Sequence, residues 1–178
     1  MSIKYKNRKY EIVSYDPKWK DKFAEEAKVL NSIFGMSAIK IEHVGSTAVP
    51  GLSGKPIIDV LILVEDVAIA DALNQKMESA GFKALGEYVM PGVRLFVKEM
   101  DNIRLCNVHV FPQGHPHAKE MLRLRDYFRS HSEFVKEYSK LKFDLLAKYP
   151  NDYGLYRKYK YEWMEKLKEN IRKEFANE

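Results

Sequence analysis

One acidic residue interrupts the most apolar stretch of the chain. Residues 57–64 read IIDVLILV, and Asp59 is the single charged residue in that run. A run this short and apolar is typical of a central β-strand that is covered on both faces. A carboxylate at such a position costs free energy unless a cation, a hydrogen-bond donor or a metal ion meets it. Asp59 is therefore the first candidate for a functional residue.

The loop before this strand has the composition of a phosphate-binding loop. Small residues let backbone N–H groups approach anionic oxygens, hydroxyl groups donate hydrogen bonds, and a lysine adds positive charge. The loop contains all three kinds, in the residues Gly45, Ser46, Thr47, Gly51, Ser53, Gly54 and Lys55. The alternative is structural, namely a tight turn with Asp59 held by a partner inside the fold. The composition favours the phosphate site over this alternative.

Other polar residues are predicted near this loop by strand patterns. His43 continues the alternation of Ile39 and Ile41. This pattern favours a hydrogen-bonded core histidine, which orients the loop, and argues against a histidine that binds a ligand directly. Further along, the dipeptide Asp101-Asn102 suits a two-residue hairpin turn between strands at 93–100 and 103–111.

A hairpin with this turn predicts a definite register. Arg94 then faces His109, and Phe96 faces Asn107, so that His109 and Asn107 lie on one face of the sheet. A cation opposite a histidine suits an anion or metal site better than a core. We therefore include Arg94, Asn107 and His109 in the candidate site.

The elements that must position these residues follow from local patterns. Asp16-Pro17 begins a helix and Gly35 ends it. Besides the strands already named, the patterns predict strands at 9–14 and 82–89. They also predict four further helices, one at about 67–80, one at 117–129, one that begins at Ser132 and one at 153–175. We expect residues 1–114 to form a core and residues 115–178 a helical segment packed on it, as one compact unit.

Composition limits the classes of function. The 178 residues carry a net charge of +5, which is too small to argue for nucleic acid, and no apolar stretch is long enough for a membrane span. The N-terminus lacks the apolar core of a signal peptide. Cys106 is the only cysteine, which excludes an intrachain disulfide. We expect a cytoplasmic protein with neither a membrane nor a nucleic acid as partner.

The loop and strand also resemble a known family. The sequence HVGSTAVPGLSGKPIIDV is similar to the signature of the GrpB family, which is assigned to the nucleotidyltransferase superfamily. Further matches are YDPKW at 15–19, NVHV at 107–110, LRLRDYFRSH at 122–131 and YRKYKYEWM at 156–164. The resemblance implies an α+β fold, with a nucleotidyltransferase-like mixed β-sheet flanked by helices and followed by a C-terminal helical segment.

The resemblance implies roles for particular residues. Superfamily members fix phosphate with Gly-Ser and hold metal ions with two acids on one strand and a third on its neighbour. Gly45-Ser46 and Asp59 match this pattern, whereas Leu61 takes the second acidic position and His109 the third. Asp59 and His109 are therefore the expected catalytic and metal-binding residues. The expected ion is Mg²⁺, held by Asp59 and the nucleotide phosphates, or a softer ion such as Mn²⁺ or Zn²⁺ if His109 is also a ligand.

The family matches on the C-terminal helices add candidates for nucleotide contacts. Lys160 lies on an otherwise apolar stripe, so it must either reach solvent or meet an anion. We expect it to contact the triphosphate, the alternative being a carboxylate across the bundle. Arg125 suits a phosphate and an acid, such as Asp126, equally well. Tyr156, one turn before Lys160, also suits packing.

These features lead to two functional hypotheses. The first is a metal-dependent nucleotidyltransferase that transfers a nucleotidyl group from a nucleoside triphosphate to a small molecule or a protein side chain. The second is a catalytically degenerate module that binds a nucleotide or phosphate, which the missing acid at Leu61 favours. Some GrpB family members are fused to dephospho-CoA kinase, which implies a link to coenzyme A metabolism.

Overall fold

The apolar run around Asp59 forms a strand inside one mixed five-stranded sheet. The computed structural model describes residues 10–175. Its strands are β1 (Lys40–Val44), β2 (Ile58–Val64), β3 (Phe82–Ala84), β4 (Arg94–Met100) and β5 (Ile103–Pro112). The order across the sheet is β1-β2-β5-β4-β3. Strands β2 and β5 run parallel, and the other three pairs are antiparallel. The α+β fold class is confirmed.

Helices cover both faces of the sheet, so β2 can be apolar on both sides. The helices are α1 (Trp19–Phe34), α2 (Ala68–Ala72), α3 (Asn74–Ser79), α4 (Pro116–Ser130), α5 (Ser132–Lys148) and α6 (Tyr153–Phe175). Val60 and Ile62 pack in one cluster with residues of α1, α2 and α3. Leu61 and Leu63 point to the other face, where Ala118 of α4 packs. Asp59 shares this second face because strand side chains alternate.

The C-terminal helices pack on the loop between β1 and β2. Val49 and Leu52 of this loop are buried with Tyr138 of α5 and Leu167 of α6 in one apolar cluster. A second cluster joins Ile12 to residues of α5 and α6. Within residues 10–175, no helix combines the length and the apolar character that a membrane crossing requires.

Three predicted elements are shorter than the sequence patterns indicated. The strand at 9–14 is a single bridge between Val13 and Gly54, and residue 9 lies outside the described residues. The helix at 67–80 is divided into α2 and α3, because Leu73 has non-helical backbone angles. The strand at 82–89 ends at Ala84. Pairing with β4 continues briefly through Leu85, and Gly86, with a φ of 59°, then turns the chain away.

The β4–β5 hairpin has the predicted turn but a different register. Asp101 and Asn102 both have positive φ, and Met100 lies opposite Ile103. A β-bulge then shifts the pairing by one residue between Lys98 and Glu99. As a result, His109 lies opposite Leu95, and Arg94 lies opposite Val110. The predicted pairing of Arg94 with His109, and of Phe96 with Asn107, is therefore wrong.

The only cysteine is a packed residue of the central strand. Cys106 lies opposite Ile58 of β2 and Lys98 of β4, and its side chain is buried. Burial is the largest of the effects that raise the pKa of its thiol far above the ordinary value. The thiol is therefore neutral in the folded protein and packs as a small apolar group.

Candidate functional site

The chain turns sharply at Gly45, directly after β1, and this turn brings the loop against Asp59. Gly45 has φ 75° and ψ −171°, a conformation essentially restricted to glycine. A Cβ atom at this position would lie 2.6 Å from Asp59 Oδ2. Glycine therefore allows both the backbone conformation and the close approach. Ser46 then begins a short 3₁₀ turn, Ser46–Ala48.

Asp59 accepts a hydrogen bond from Asn107, lies beside His109 and remains ionised. Asn107 of β5 donates a hydrogen bond to Asp59 Oδ1 at 2.7 Å, and His109 Nε2 lies 3.6 Å from the same oxygen. Burial alone raises the pKa of Asp59, but the effects of His109, Asn107 and Lys55 outweigh it, so the pKa lies below its ordinary value. The side chain is 27% exposed. A charged carboxylate is thus accessible to a ligand.

A pocket of about 390 Å³ opens beside Asp59, lined by the loop, β2, β5 and the three C-terminal helices. Its cationic residues are Lys55, Arg125, Lys160 and Lys168, and its acidic residues are Asp59 and Glu120. Glu120 already pairs with Lys168, at 2.6 Å. The apolar wall of the pocket consists of loop and helix residues, including Val49, Leu52, Leu124, Phe128 and Met164. The pocket therefore offers both charged and apolar surface to a ligand.

Two lysines, one on the loop and one on α6, bring positive charge into the pocket beside Asp59. Lys55 donates a 2.6 Å hydrogen bond to the hydroxyl group of Tyr153. Lys160 of α6 lies 5.8 Å from the centre of the Tyr156 ring. No carboxylate of the described residues forms an ion pair with Lys160, so the alternative of a carboxylate partner across the bundle is wrong. Burial and the charge of Lys55 lower the pKa of Lys160.

A third lysine, Lys142 of α5, lies outside the pocket lining but contacts the loop of this site, and the sequence patterns above did not single it out. It is 2% exposed, and its ammonium group donates hydrogen bonds to Ser46 Oγ, at 2.9 Å, and to the carbonyl oxygen of Ser53. A signal was present: Lys142 follows Tyr138 by four residues and Val135 by seven, which places a lysine on the apolar stripe of α5.

His43 and Thr47 support the loop from behind and do not line the pocket. His43 Nε2 lies 2.9 Å from Thr47 Oγ1, and the imidazole stacks on Phe23. Burial is the main reason that the pKa of His43 falls to about 4. His43 is a core histidine next to the loop, as its strand pattern indicated. Thr47 is 2% exposed, and its hydroxyl also donates to the carbonyl of Ile57. Its position thus suits loop support better than phosphate binding.

The remaining candidates lie in different surroundings. Arg125 lines the pocket but already binds acids, Glu42 at 2.7 Å and Asp126 at 2.8 Å. Tyr156 is buried beneath Lys160 and packs against Tyr10.

Arg94 lies outside the pocket lining. It pairs with Asp71 and Glu87 on the face of the sheet opposite to His109. The register shift in the hairpin thus removes Arg94 from the neighbourhood in which the sequence placed it.

The residues beside Asp59 make an incomplete metal site. Among residues 10–175, no group of three or more His, Cys, Asp and Glu side chains could hold a metal ion. Leu61, at the position of the second acid, is fully buried in the apolar cluster beneath α4. Mg²⁺ takes about six oxygen ligands, so Asp59 fits this ion only if phosphate oxygens and water supply most of the others. The donor set therefore fits a metal–nucleotide complex rather than a free ion.

Comparison with known proteins places this site in a family context. UPF0157 protein YqkA of Bacillus subtilis is 38% identical over 95% of this chain, and the chain spans only 49% of that relative's length. A dephospho-CoA kinase of Mycolicibacterium paratuberculosis is 26% identical over 85% of this chain and 43% of its own length.

Solved structures give the fold. The conserved protein GrpB from Enterococcus faecalis is 30% identical, with a TM-score of 0.86 over 93% of this chain and 99% of that one. A cytoplasmic RNA terminal U-transferase is 16% identical, with a TM-score of 0.54 over 76% of this chain and 41% of its own, which supports a nucleotidyltransferase-like fold. The family model described as GrpB protein matches residues 9–170, and the chain therefore belongs to the GrpB family.

Proposed function

We propose that this protein binds a nucleoside triphosphate beside Asp59 and transfers its nucleotidyl group, in a metal-dependent reaction, to a small-molecule or protein acceptor. One observation carries the proposal. Asp59 is an ionised carboxylate that shares a pocket with the Gly45-Ser46 turn, and within residues 10–175 no lysine or arginine forms an ion pair with it. A carboxylate that no lysine or arginine binds directly can still act as a ligand to the metal ion of a metal–nucleotide complex. The nucleotidyltransferase-like fold supports the same function.

The cationic side chains of the pocket support the binding of a polyphosphate. Lys160 has no ion-pair partner among the described residues, and Lys55 donates its hydrogen bond to the Tyr153 hydroxyl group and not to a carboxylate. Two ammonium groups in one partly buried pocket repel each other, and an anionic ligand would relieve that repulsion. In the proposed complex, Ser46 and the backbone of the turn bind phosphate oxygens, and Lys55 and Lys160 offset their charge.

A divalent cation would neutralise phosphate charge and make the α-phosphorus more electrophilic. Asp59 would hold this ion, with His109 as a second ligand, and Asn107 keeps the carboxylate in position through its 2.7 Å hydrogen bond. Asn107 is itself oriented, because its Oδ1 accepts a 2.8 Å bond from Arg104. The apolar wall of the pocket would receive the base.

A second candidate function is a non-catalytic module that binds a nucleotide or phosphate. The observation that favours it is Leu61, which fills the place of a second acid with a fully buried apolar side chain. With a single carboxylate, the site can bind a metal–nucleotide complex without supporting transfer. The relatives named dephospho-CoA kinase favour a role in coenzyme A metabolism for either function, because a chain like this one is part of those longer proteins.

Calorimetry of Asp59→Asn tests the binding step. Asparagine keeps the shape of the side chain and can still accept the bond from Asn107, but it lacks the charge that holds a cation. We expect wild type to bind at least one of ATP, CTP, GTP and UTP more tightly with Mg²⁺, Mn²⁺ or Zn²⁺, and Asp59→Asn to lose about tenfold or more of that metal-dependent affinity.

Asp66→Asn is the matched control. Asp66 caps the start of α2 away from the pocket, at 2.9 Å from the Ala68 nitrogen, and asparagine caps equally well. Its binding should equal that of wild type.

Release of pyrophosphate distinguishes the two candidate functions. Metal-dependent release in the presence of candidate acceptors, lost in Asp59→Asn, would support transfer. Binding that needs no metal, survives Asp59→Asn and never yields pyrophosphate would support the non-catalytic module. If none of the four nucleotides binds to wild type under any of these conditions, both candidate functions are wrong.

A further inference from the structure

Lys142 is a buried lysine without a carboxylate partner among the described residues. It is 2% exposed, and within the described residues no acid forms an ion pair with it. A buried ammonium group costs several kcal/mol unless its N–H groups are satisfied. Here they are satisfied by neutral acceptors, namely Ser46 Oγ, the Ser53 carbonyl and the face of the Tyr138 ring, whose centre lies 4.2 Å from Nζ. Because burial of this group costs so much free energy, we expect it to have a role beyond packing.

The hydrogen bond between Lys142 and Ser46 has a directional consequence. A charged ammonium group can only donate, so Ser46 Oγ must accept, and the hydroxyl proton of Ser46 is left for another acceptor. Ser46 Oγ makes no other hydrogen bond within residues 10–175. Ser46 also lines the pocket beside Asp59. Its hydroxyl group is therefore available to a ligand as a donor.

We propose that Lys142 is a positioning residue that orients the Ser46 hydroxyl group as a hydrogen-bond donor to a bound phosphate oxygen. This inference rests on the proposed binding of a nucleoside triphosphate in the pocket. Lys142 acts from behind the loop, through Ser46.

The surrounding packing fixes this arrangement. A Cβ atom at Gly54 would lie 2.8 Å from Ser46 Cβ and 3.8 Å from Lys142 Nζ, so glycine leaves the room in which the serine and the lysine meet. Ser139, on the same helix as Lys142, accepts a 3.0 Å hydrogen bond from the backbone nitrogen of Ser53. Helix α5 thus contacts the loop at both Ser46 and Ser53. These contacts leave the Ser46 side chain little freedom to rotate.

The arrangement depends on the protonation of Lys142. Burial, together with the charges of Lys160 of α6 and Lys55 of the loop, holds the pKa of Lys142 well below its ordinary value. Tyr138 and Tyr156 are the neighbouring phenols, and burial keeps both neutral by raising the pKa of each. Asp59 is the acid of the pocket whose charge acts on Lys55 and Lys160. A neutral Lys142 has a lone pair that can accept the Ser46 proton, which would then be unavailable to a ligand.

A double-mutant cycle on magnesium–ATP binding tests the proposal. The variants are Lys142→Met, which keeps the length and apolar stem of the side chain, Ser46→Ala, and the two combined. We expect each single variant to bind about tenfold to a hundredfold more weakly than wild type, and the double variant to bind no more weakly than either. Lys140→Met is the matched control, because Lys140 lies on α5 with its side chain 77% exposed. It should bind as wild type does.

The pH profile provides a readout that a merely structural role would not change. Wild-type affinity should weaken as rising pH removes the proton of Lys142, at a lower pH than for an ordinary lysine, and Ser46→Ala should lack this part of the profile. If Lys142→Met does not fold, the comparison of wild type with Ser46→Ala decides the question. Wild-type affinity in Lys142→Met, additive effects in the cycle, or identical pH profiles would overturn the proposal.

A ligand-free measurement separates this proposal from the proposed function. If magnesium–ATP does not bind to wild type, ATP binding as proposed fails. The same cycle, measured on the free energy of unfolding in urea, then decides whether Lys142 acts on Ser46. Coupling between the two substitutions supports the contact as a specific one, whereas independent effects contradict it.

Discussion

A methyl group added at Gly45 would meet the carboxylate of Asp59, so the two residues constrain each other. We expect Gly45→Ala to lower the free energy of unfolding by about 3 kcal/mol or more, because it combines a glycine-only backbone conformation with a 2.6 Å contact. Gly92→Ala is the matched control. Gly92 also has a positive φ, 78°, but no atom lies within 4 Å of a Cβ there, so it should cost only about 1–2 kcal/mol. Urea titration measures both. Equal losses would contradict the close approach of Gly45 to Asp59.

The burial of His43 predicts a loss of stability in acid. The folded-state pKa is about 4, against 6.5 for an unperturbed histidine. His43 is therefore neutral in both states above pH 6.5, and below that pH the unfolded state binds its proton more readily. The free energy of unfolding should fall by about 3 kcal/mol as the pH drops from about 6.5 to about 4.

Nuclear magnetic resonance of the His43 ring gives the folded pKa directly, and urea titration against pH gives the loss. His43→Gln, which can still bond to Thr47, should lack this loss. A His43 ring that titrates near 6.5 would contradict the prediction.

At the scale of single residues, the sequence marks several of the groups that line the pocket and does not single out the lysine behind its loop. Gly45, Ser46 and Asp59 stand out because a turn and an acid within an apolar run are local signals. Lys160 stands out as a charge on an apolar stripe, and Lys142 carries the same signal. The signal of Lys142 is hidden because the neighbouring Leu141 completes an apolar stripe without it.

At the scale of elements, the β4–β5 hairpin ends in a turn with two non-glycine residues of positive φ. Asp101 has φ 52° and Asn102 has φ 63°, as in a type I′ turn, where glycine is preferred at the second position. We expect Asn102→Gly to raise the free energy of unfolding by up to about 1 kcal/mol, and Asn102→Ala to lower it by about 1 kcal/mol. Both values come from urea titration. Changes of the same sign would show that this turn is of another type.

The register of this hairpin shows why elements are easier to predict than their alignment. The turn could be predicted because Asp and Asn tolerate positive φ. The bulge, where the pairing shifts between Lys98 and Glu99, could not be predicted. It adds one residue to the hairpin, and no glycine or proline marks its position. One added residue exchanges the two faces of a strand, and Arg94 consequently lies away from His109.

At the scale of the whole molecule, the C-terminal helices and the sheet share their buried surfaces. Arg129 of α4 donates two hydrogen bonds to the Ala48 carbonyl, and Tyr10 donates to the Tyr149 carbonyl. The sequence predicted the apolar stripes of these helices. It could not predict their partners, because a stripe specifies a face and not the surface that covers it.

We therefore expect residues 1–114 and 115–178 to unfold in a single transition. The two tryptophans report on the two parts, since Trp19 is buried in α1 and Trp163 of α6 stacks on Tyr138. In each of the variants Trp163→Phe and Trp19→Phe, the fluorescence of the remaining tryptophan and the circular dichroism should give the same urea midpoint. Two separate midpoints in the same protein would show that the parts are independent domains.

The reactivity of Cys106 depends on whether the sheet is closed or open. The single thiol lies on β5, the middle strand, and is 1% exposed. Because only an exposed thiolate reacts readily, an alkylating reagent should modify Cys106 only in molecules whose sheet has opened. The rate of alkylation would then measure how often that opening occurs under native conditions. A bound nucleotide that stabilises the folded state should slow this reaction in proportion to its affinity.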